Sequence, residues 1–346
     1  MASDMNKYLR FAHILFSWKV QQELYSHSLP EEIFMEITND CNFKCSYCPH
    51  ADANHFKFLK HSALKPDDAL LILQKLRNGG VKTKDIHLNI DGEPFINKYI
   101  SEICLVAINL GWSTFNFATN GYYVTLERVR KLPAEPSQVN YVFTIDFCSD
   151  EMLFERCRGG PGSWLVVKSN LLDLLNANLP YVSIVITDIS SYSISDKGEL
   201  QARYSALKKL FPSSRRLSFK TRKFHDVTAY VSGQAVNEDH ESDTYHTCPY
   251  PWTSLHVASN GDVISCDRDL RHQNVLGNLF LQDFAEIWNG ERYMALRRAI
   301  ITSDLGDMGA CTYCDLPYDS NKFSFQHLLQ VAIVRLGLFS QLNLFH

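Results

Sequence analysis

Three cysteines, Cys41, Cys45 and Cys48, stand at C-x3-C-x2-C spacing directly after the apolar run Ile33-Phe34-Met35-Glu36-Ile37. Cubane 4Fe–4S clusters normally take four thiolates. A local run of three leaves one iron without a protein ligand and open to a chelating cofactor. A second group lies far downstream: Cys248, Cys266 and the pair within Cys311-Thr312-Tyr313-Cys314. Four thiols on a hairpin and a distant C-x2-C can hold either a fully ligated cluster or a structural Zn²⁺. Cys104 sits on a helical pattern and reads as a small buried apolar residue.

These ligands need a scaffold, and the chain is long enough to supply one. With 346 residues, 45% hydrophobic and 21% charged, it has the composition of a globular protein with one large and one smaller domain. A formal net charge of −4 argues against a general nucleic-acid or anionic-membrane binder. Tyr8 to Val20 is interrupted by Arg10, His13 and Lys19, which makes a poor signal peptide. No uncharged apolar stretch is long enough to span a bilayer. Ten cysteines, seven of them in patterned groups, then point to metal ligation in a reducing cytoplasmic setting.

Short apolar runs alternate with helical patterns from about residue 33 to 220, the α/β signature. Strands are expected at Ile33–Thr38, Asp85–Ile90, Thr114–Ala118, Tyr141–Ile145, Val182–Thr187 and Leu217–Lys220. Helices are expected at Pro66–Arg77, Lys98–Leu110, Leu126–Leu132, Trp164–Ala177 and Gly198–Leu210. Six such units suit a partial TIM-like (β/α)6 barrel, with its chemistry at the C-terminal strand ends. Beyond a polar, irregular stretch from Arg222 to Thr247, the runs Ser254–Ala258 and Val263–Cys266 flank Asn260-Gly261, a type I′ hairpin signal. A single helix is expected over Leu281–Ile301. The division that follows is an N-terminal helix within 1–30, a barrel over 31–222, a small cluster-binding domain over 223–321 and a C-terminal helix over 322–346. The terminal helices are amphipathic and suit packing on the domain surface or a helix-mediated oligomer.

The run Cys41-Asn42-Phe43-Lys44-Cys45-Ser46-Tyr47-Cys48 resembles the cluster loop of the radical S-adenosylmethionine (SAM) enzymes, including the aromatic Tyr47 before the third cysteine. The resemblance implies a 4Fe–4S cluster whose open iron is chelated by SAM, and a 5′-deoxyadenosyl radical formed by reductive cleavage. Asp91-Gly92-Glu93-Pro94 is similar to the family's Gly-Gly-Glu-Pro segment, in which Gly92, Glu93 and Pro94 would hold the methionine amino group; Asp91 replaces the first glycine. Thr119-Asn120-Gly121 is similar to a turn shaping the barrel mouth. Thr144-Ile145-Asp146 is similar to a segment whose hydroxyl reaches the ribose. Arg158, in Arg158-Gly159-Gly160, matches a step whose guanidinium contacts SAM, with Arg156 a near competitor. Cys248, Cys266, Cys311 and Cys314, with Trp252 and Gly277-Asn278, resemble the first half of a SPASM extension. Since no cysteine follows Cys314 in this sequence, the shorter twitch-like form with one auxiliary 4Fe–4S cluster is expected.

That combination looks closest to twitch-type dehydrogenases such as those oxidising 2-deoxy-scyllo-inosamine. It implies oxidation of a small polar, carbohydrate or amino-sugar substrate, with the auxiliary cluster as electron acceptor and a flavodoxin- or ferredoxin-like electron donor. A redox-neutral epimerase is the alternative in which Cys148, two residues past Asp146, gives a hydrogen atom to the substrate radical. Peptide modification is a third reading. A non-enzymatic iron–sulfur or zinc scaffold explains the cysteines but not the turns at successive strand ends.

Overall fold

The computed structural model describes residues 24–26, 28–135, 138–221, 248–306 and 308–318. The two terminal helices expected from the sequence and the stretch Arg222–Thr247 lie essentially outside the described residues.

Among the described residues nine strands form one open sheet. They are β1 (Glu32–Met35), β2 (Asp85–His87), β3 (Thr114–Thr119), β4 (Asn140–Phe147), β5 (Val182–Asp188), β6 (Leu217–Thr221), β7 (Ser254–Val257), β8 (Asp262–Ile264) and β9 (Val275–Asn278), in the spatial order β6-β5-β4-β3-β2-β1-β7-β8-β9. Strands β1 to β6 pair parallel in sequence order, with helices between them. This is a mixed α/β, TIM-like partial barrel: the sheet does not close.

Alternation along the strands decides which face is sealed. In β4, Tyr141, Phe143, Ile145 and Phe147 are all fully buried, whereas Val142, Thr144 and Asp146 on the other face keep some exposure. Phe147 stacks on Trp164 of the helix Ser163–Ala177, with ring centroids 5.6 Å apart. Each such side chain contributes about 1.5–3 kcal/mol through burial. The helix Pro66–Asn78 shows the complementary logic. Ala69, Ile72, Leu73 and Leu76 make its buried stripe, Pro66 starts it, Asp67 and Asp68 occupy the first turn, and Lys75 and Arg77 the last. Apolar residues therefore face helices, and the polar strand ends are left to line the opening.

Four details depart from the sequence expectation. First, β7 pairs parallel with β1 over Glu32–Met35, so the downstream hairpin continues the barrel sheet. Second, the hairpin loop has three residues, Ser259 to Gly261. Gly261 alone takes a positive φ, of 84°, and its N–H donates to the Ala258 carbonyl at 2.9 Å. That is a turn closed by a left-handed glycine, not a two-residue type I′ turn. Third, the expected long helix is two, Phe284–Trp288 and Glu291–Thr302, because the chain turns at Asn289-Gly290. A Cβ on Gly290 would lie 2.5 Å from the Glu286 carbonyl oxygen. Fourth, the helix Glu151–Cys157 and strand β9 lie outside the expected elements. Asp150 caps the former by accepting the Leu153 N–H at 2.8 Å, a short-range signal that was present in the sequence.

Candidate active site

The cysteine loop leaves the end of β1 and is tied down on both sides. Asn39 accepts the Ser62 N–H and donates to the Lys60 carbonyl, both at 2.8 Å, while Ser46 N–H donates to the Cys157 carbonyl at 2.9 Å. Phe43 packs so tightly over Gly159 that a Cβ there would lie 2.5 Å from its ring. Burial pushes the Cys41 thiol up to about 12 and raises Cys45 and Cys48 as well. Thiols in this state keep their protons until a cation displaces them. Backbone and amide donors already point at sulfur: Phe43 N–H lies 3.4 Å and Asn120 Nδ2 4.0 Å from Cys41 Sγ.

The turn after β2 approaches this loop closely. Gly92 has φ +68°, and a Cβ there would fall 2.5 Å from the Thr38 carbonyl oxygen and 2.7 Å from that of Asp40. The adjacent Glu93 N–H donates to the Asp40 carbonyl at 2.7 Å. Glu93 itself is buried and accepts from Phe95 N–H at 3.0 Å, Thr119 Oγ1 at 2.7 Å and Asn120 N–H at 2.7 Å. Burial raises its pKa against those three bonds. A carboxylate has about four acceptor positions, so the Glu93 side chain ties its own loop to the end of β3 and has one acceptor position left. Pro94 is buried at the start of the short 3-10 turn Pro94–Ile96 that follows.

Arg158 stands across the opening. Its Nη1 donates to Tyr47 Oη at 2.5 Å and to Asp146 Oδ2 at 3.0 Å, and its buried Nε has no partner among the described residues. Burial would lower its pKa, but Tyr47, Cys45 and Asp146 raise it, so the guanidinium stays charged. Arg158 therefore holds a cation with a donor to spare beside the cysteine loop. Thr144 lies on the same open face of β4 as Asp146.

Cys148 is not presented to this opening. It is fully buried, its thiol donates to the Asp150 carbonyl at 3.2 Å, and burial pushes its pKa up to about 12. A hydrogen-atom donor needs a line to its substrate, which this packing does not give.

His50 and His55 have no diagnostic spacing in the sequence. In the fold their Nε2 atoms bracket Asp91, at 2.8 Å from Oδ1 and Oδ2 respectively. The residue that departs from the family's glycine is thus clamped by two histidines from the cysteine loop. Asp91 N–H also donates to Glu36 Oε2 at 3.1 Å, and Glu36 Oε1 accepts from Ser259 Oγ at 2.6 Å. Among the described residues this trio is the one set of three ligand atoms within 4.8 Å of one another. Both carboxylate oxygens are occupied by the imidazoles, so we read it as a clamp.

The clamp has a pH signature. Burial alone would raise Asp91, but hydrogen bonds and charge from His50 and His55 hold its carboxyl well below the usual range. Burial likewise opposes the charge on His50, but Asp91 raises its pKa. The Asp91 contribution to stability is fully present above its unfolded pKa of about 3.9 and is lost as pH falls through the folded value. The His50 contribution is fully present below its unfolded pKa of about 6.5 and is lost as pH rises through its folded value. An Asp91→Asn variant should therefore show its greatest loss of stability between about pH 4 and 6.5, on the order of 3 kcal/mol, read as a lowered thermal midpoint. A loss that does not vary with pH would contradict the charged clamp.

The second cysteine group assembles around β8. Cys266 follows that strand, Cys248 precedes the turn Tyr250–Thr253, and Cys311 and Cys314 lie on and after the 3-10 segment Gly309–Tyr313. All four line one recess of about 440 Å³, its open mouth included. Burial, then neighbouring charges, pushes Cys248 up to about 12 and raises Cys266 as well. Four protonated thiols gathered on one recess suit a soft metal centre. The spacing bears on which one. A tetrahedral zinc with Zn–S near 2.3 Å needs sulfurs about 3.8 Å apart, yet no three of these thiols lie within 4.8 Å of one another. The wider set suits a four-iron cubane. A direct link joins the two cysteine regions, since Arg271 Nη2 lies 2.9 Å from Asp52 Oδ2.

Comparison with known proteins agrees with this geometry. Residues 35–198 match the model of the Radical SAM superfamily, and residues 248–315 match that of SPASM, an iron-sulfur cluster-binding domain. The sporulation killing factor maturation protein SkfB of Bacillus subtilis (strain 168) is 24% identical over 292 residues, covering 78% of this chain and 67% of its own. Among solved structures, BtrN in complex with AdoMet and 2-DOIA superimposes with a TM-score of 0.51 at 17% identity, over 84% of this chain and 93% of that one. Native anSMEcpe with bound AdoMet gives 0.56 at 12% identity, over 90% and 100%. At these identities the structural matches speak for the fold.

Proposed function

The chain carries a radical SAM domain followed by a SPASM iron–sulfur cluster-binding domain, and from that premise we propose that it is an oxidase of the dehydrogenase type acting on a small polar substrate. The domains imply a 4Fe–4S cluster with SAM and auxiliary iron–sulfur chemistry. When bound, these groups supply a 5′-deoxyadenosyl radical and a separate one-electron acceptor.

The chain's own residues divide the work. Cys41, Cys45 and Cys48 would hold the first cluster. Glu93 offers its remaining acceptor position to the SAM ammonium, Arg158 offers Nε to the carboxylate or ribose, and Thr144 and Asp146 face the same opening. Asn120 and Tyr47 fix these groups through Glu93 and Arg158. Conversion of an alcohol carbon to a ketone would balance as one hydrogen atom lost to the 5′-deoxyadenosyl radical, which gives 5′-deoxyadenosine, with one proton to a base and one electron to the acceptor.

The observation that carries the reading is the convergence of Cys248, Cys266, Cys311 and Cys314 on one recess. Four thiols saturate a cluster, leave no iron for substrate, and suit it to electron transfer. The likeness to SkfB, whose name makes it a maturation protein, favours a second reading in which the substrate is a peptide. No helix among the described residues is long and apolar enough to cross a membrane; we place the chain's work in the cytoplasm, with a flavodoxin- or ferredoxin-like donor.

The test is incubation of reduced, two-cluster protein and SAM with a panel of aminocyclitols and, separately, of linear peptides. We expect 5′-deoxyadenosine in step with an aminocyclitol product two hydrogens lighter. A product of unchanged mass carrying solvent deuterium would indicate epimerisation, and turnover of peptides alone would overturn the small-substrate reading.

A further inference from the structure

The charged groups around the second cysteine set are arranged asymmetrically about its sulfurs. Arg268 Nη1 lies 3.7 Å from Cys314 Sγ, and the Arg268 N–H points at Cys266 Sγ from 3.4 Å. Asn274 Nδ2 lies 3.6 Å from Cys311 Sγ and is aimed by its bond to the Met308 carbonyl at 2.8 Å. Asn274 is itself held by Asp269, which accepts its N–H at 2.9 Å and that of Gln273 at 2.8 Å. The guanidinium is mostly buried, and Asp315 orients it through a contact of 2.5 Å. One cation and one anion therefore sit beside the same ligand, Cys314.

A cluster with four thiolates becomes more negative by one charge when it accepts an electron. Hydrogen bonds to sulfur and a nearby cation favour that reduced form, and a nearby anion opposes it. We propose that Arg268 is a positioning residue for electron transfer, raising the reduction potential of the auxiliary cluster so that it can take the electron from substrate, with Asp315 as the opposing setting. The inference rests on the auxiliary-cluster reading above and gives each of two neighbouring side chains its own sign.

The experiment is an EPR-monitored redox titration of the full chain carrying its iron, with the Cys41→Ala/Cys45→Ala/Cys48→Ala chain as the reference isolating the second signal. Arg268→Met removes the cation and the donor while the Asp315 carboxylate stays in place. The reduction equilibrium should become at least tenfold less favourable, a midpoint about 59 mV lower for one electron. Asp315→Asn should move it the other way, and Arg268→Lys should lie between wild type and Arg268→Met. A role confined to holding the fold predicts a shift of the same sign in both neutralising variants, and that result, or no shift in either, would overturn the proposal. Should Arg268→Met fail to retain iron, Asp315→Asn decides alone: a raised midpoint supports the assignment, and an unchanged or lowered one refutes it. Zinc in place of the second cluster would defeat the functional reading before this comparison begins, so the two failures are distinguishable.

Discussion

Replacing Cys41, Cys45 and Cys48 together with Ala should abolish 5′-deoxyadenosine formation and lower the iron content from about eight to about four per chain. The effect is all-or-none because the three thiols share one loop: Cys104 and Cys148 are fully buried in the core, and Cys157, whose carbonyl ties down Ser46, is buried with its thiol 3.7 Å from Ser193 Oγ. The fold should survive, since the loop is pinned through Asn39, Ser46 and Phe43 and not through the sulfurs. Anaerobic quantification of 5′-deoxyadenosine after dithionite reduction checks it. Formation at the wild-type rate would refute the loop assignment.

The counterpart is Cys266→Ala, which should leave 5′-deoxyadenosine formation in place and remove oxidised product. Burial, then Asp267 and the other three thiols, raise the Cys266 pKa, and Cys266 lines the same recess as those thiols. Deleting it opens the ligand set, and the cluster should be lost with it. Loss of the centre also unties the hairpin β7–β8 from Cys311 and Cys314, so the thermal midpoint should fall. The split between the two assays is the informative quantity. If Cys266→Ala forms oxidised product at the wild-type rate, the second centre is not the electron acceptor.

Much of this site is legible in the sequence because its parts are neighbours along the chain. The triplet, the Asp91-Gly92-Glu93-Pro94 turn and Arg158-Gly159 each announce themselves within a few residues, and the alternation in β4 marks a strand with one sealed face. What escapes is joined only through space. His50 and His55 acquire a meaning when β2 delivers Asp91 between them, a pairing 36 to 41 positions long. Glu93 reads as an open ligand until Thr119 and Asn120 from the next strand end close on it. The continuation of the sheet through β7 depends on pairing with β1 more than two hundred residues earlier, which no local pattern records. Arg268, two residues past Cys266, looks like any surface arginine until the distant Cys314-Asp315 pair folds against it.

The central claim is that two iron–sulfur centres divide the labour, one opening the radical chemistry and one receiving the electron. Iron, acid-labile sulfide and zinc should be counted on anaerobically reconstituted protein. The account predicts about eight irons and eight sulfides per chain, from four of each per cubane, with no zinc. About four irons accompanied by one zinc would contradict it.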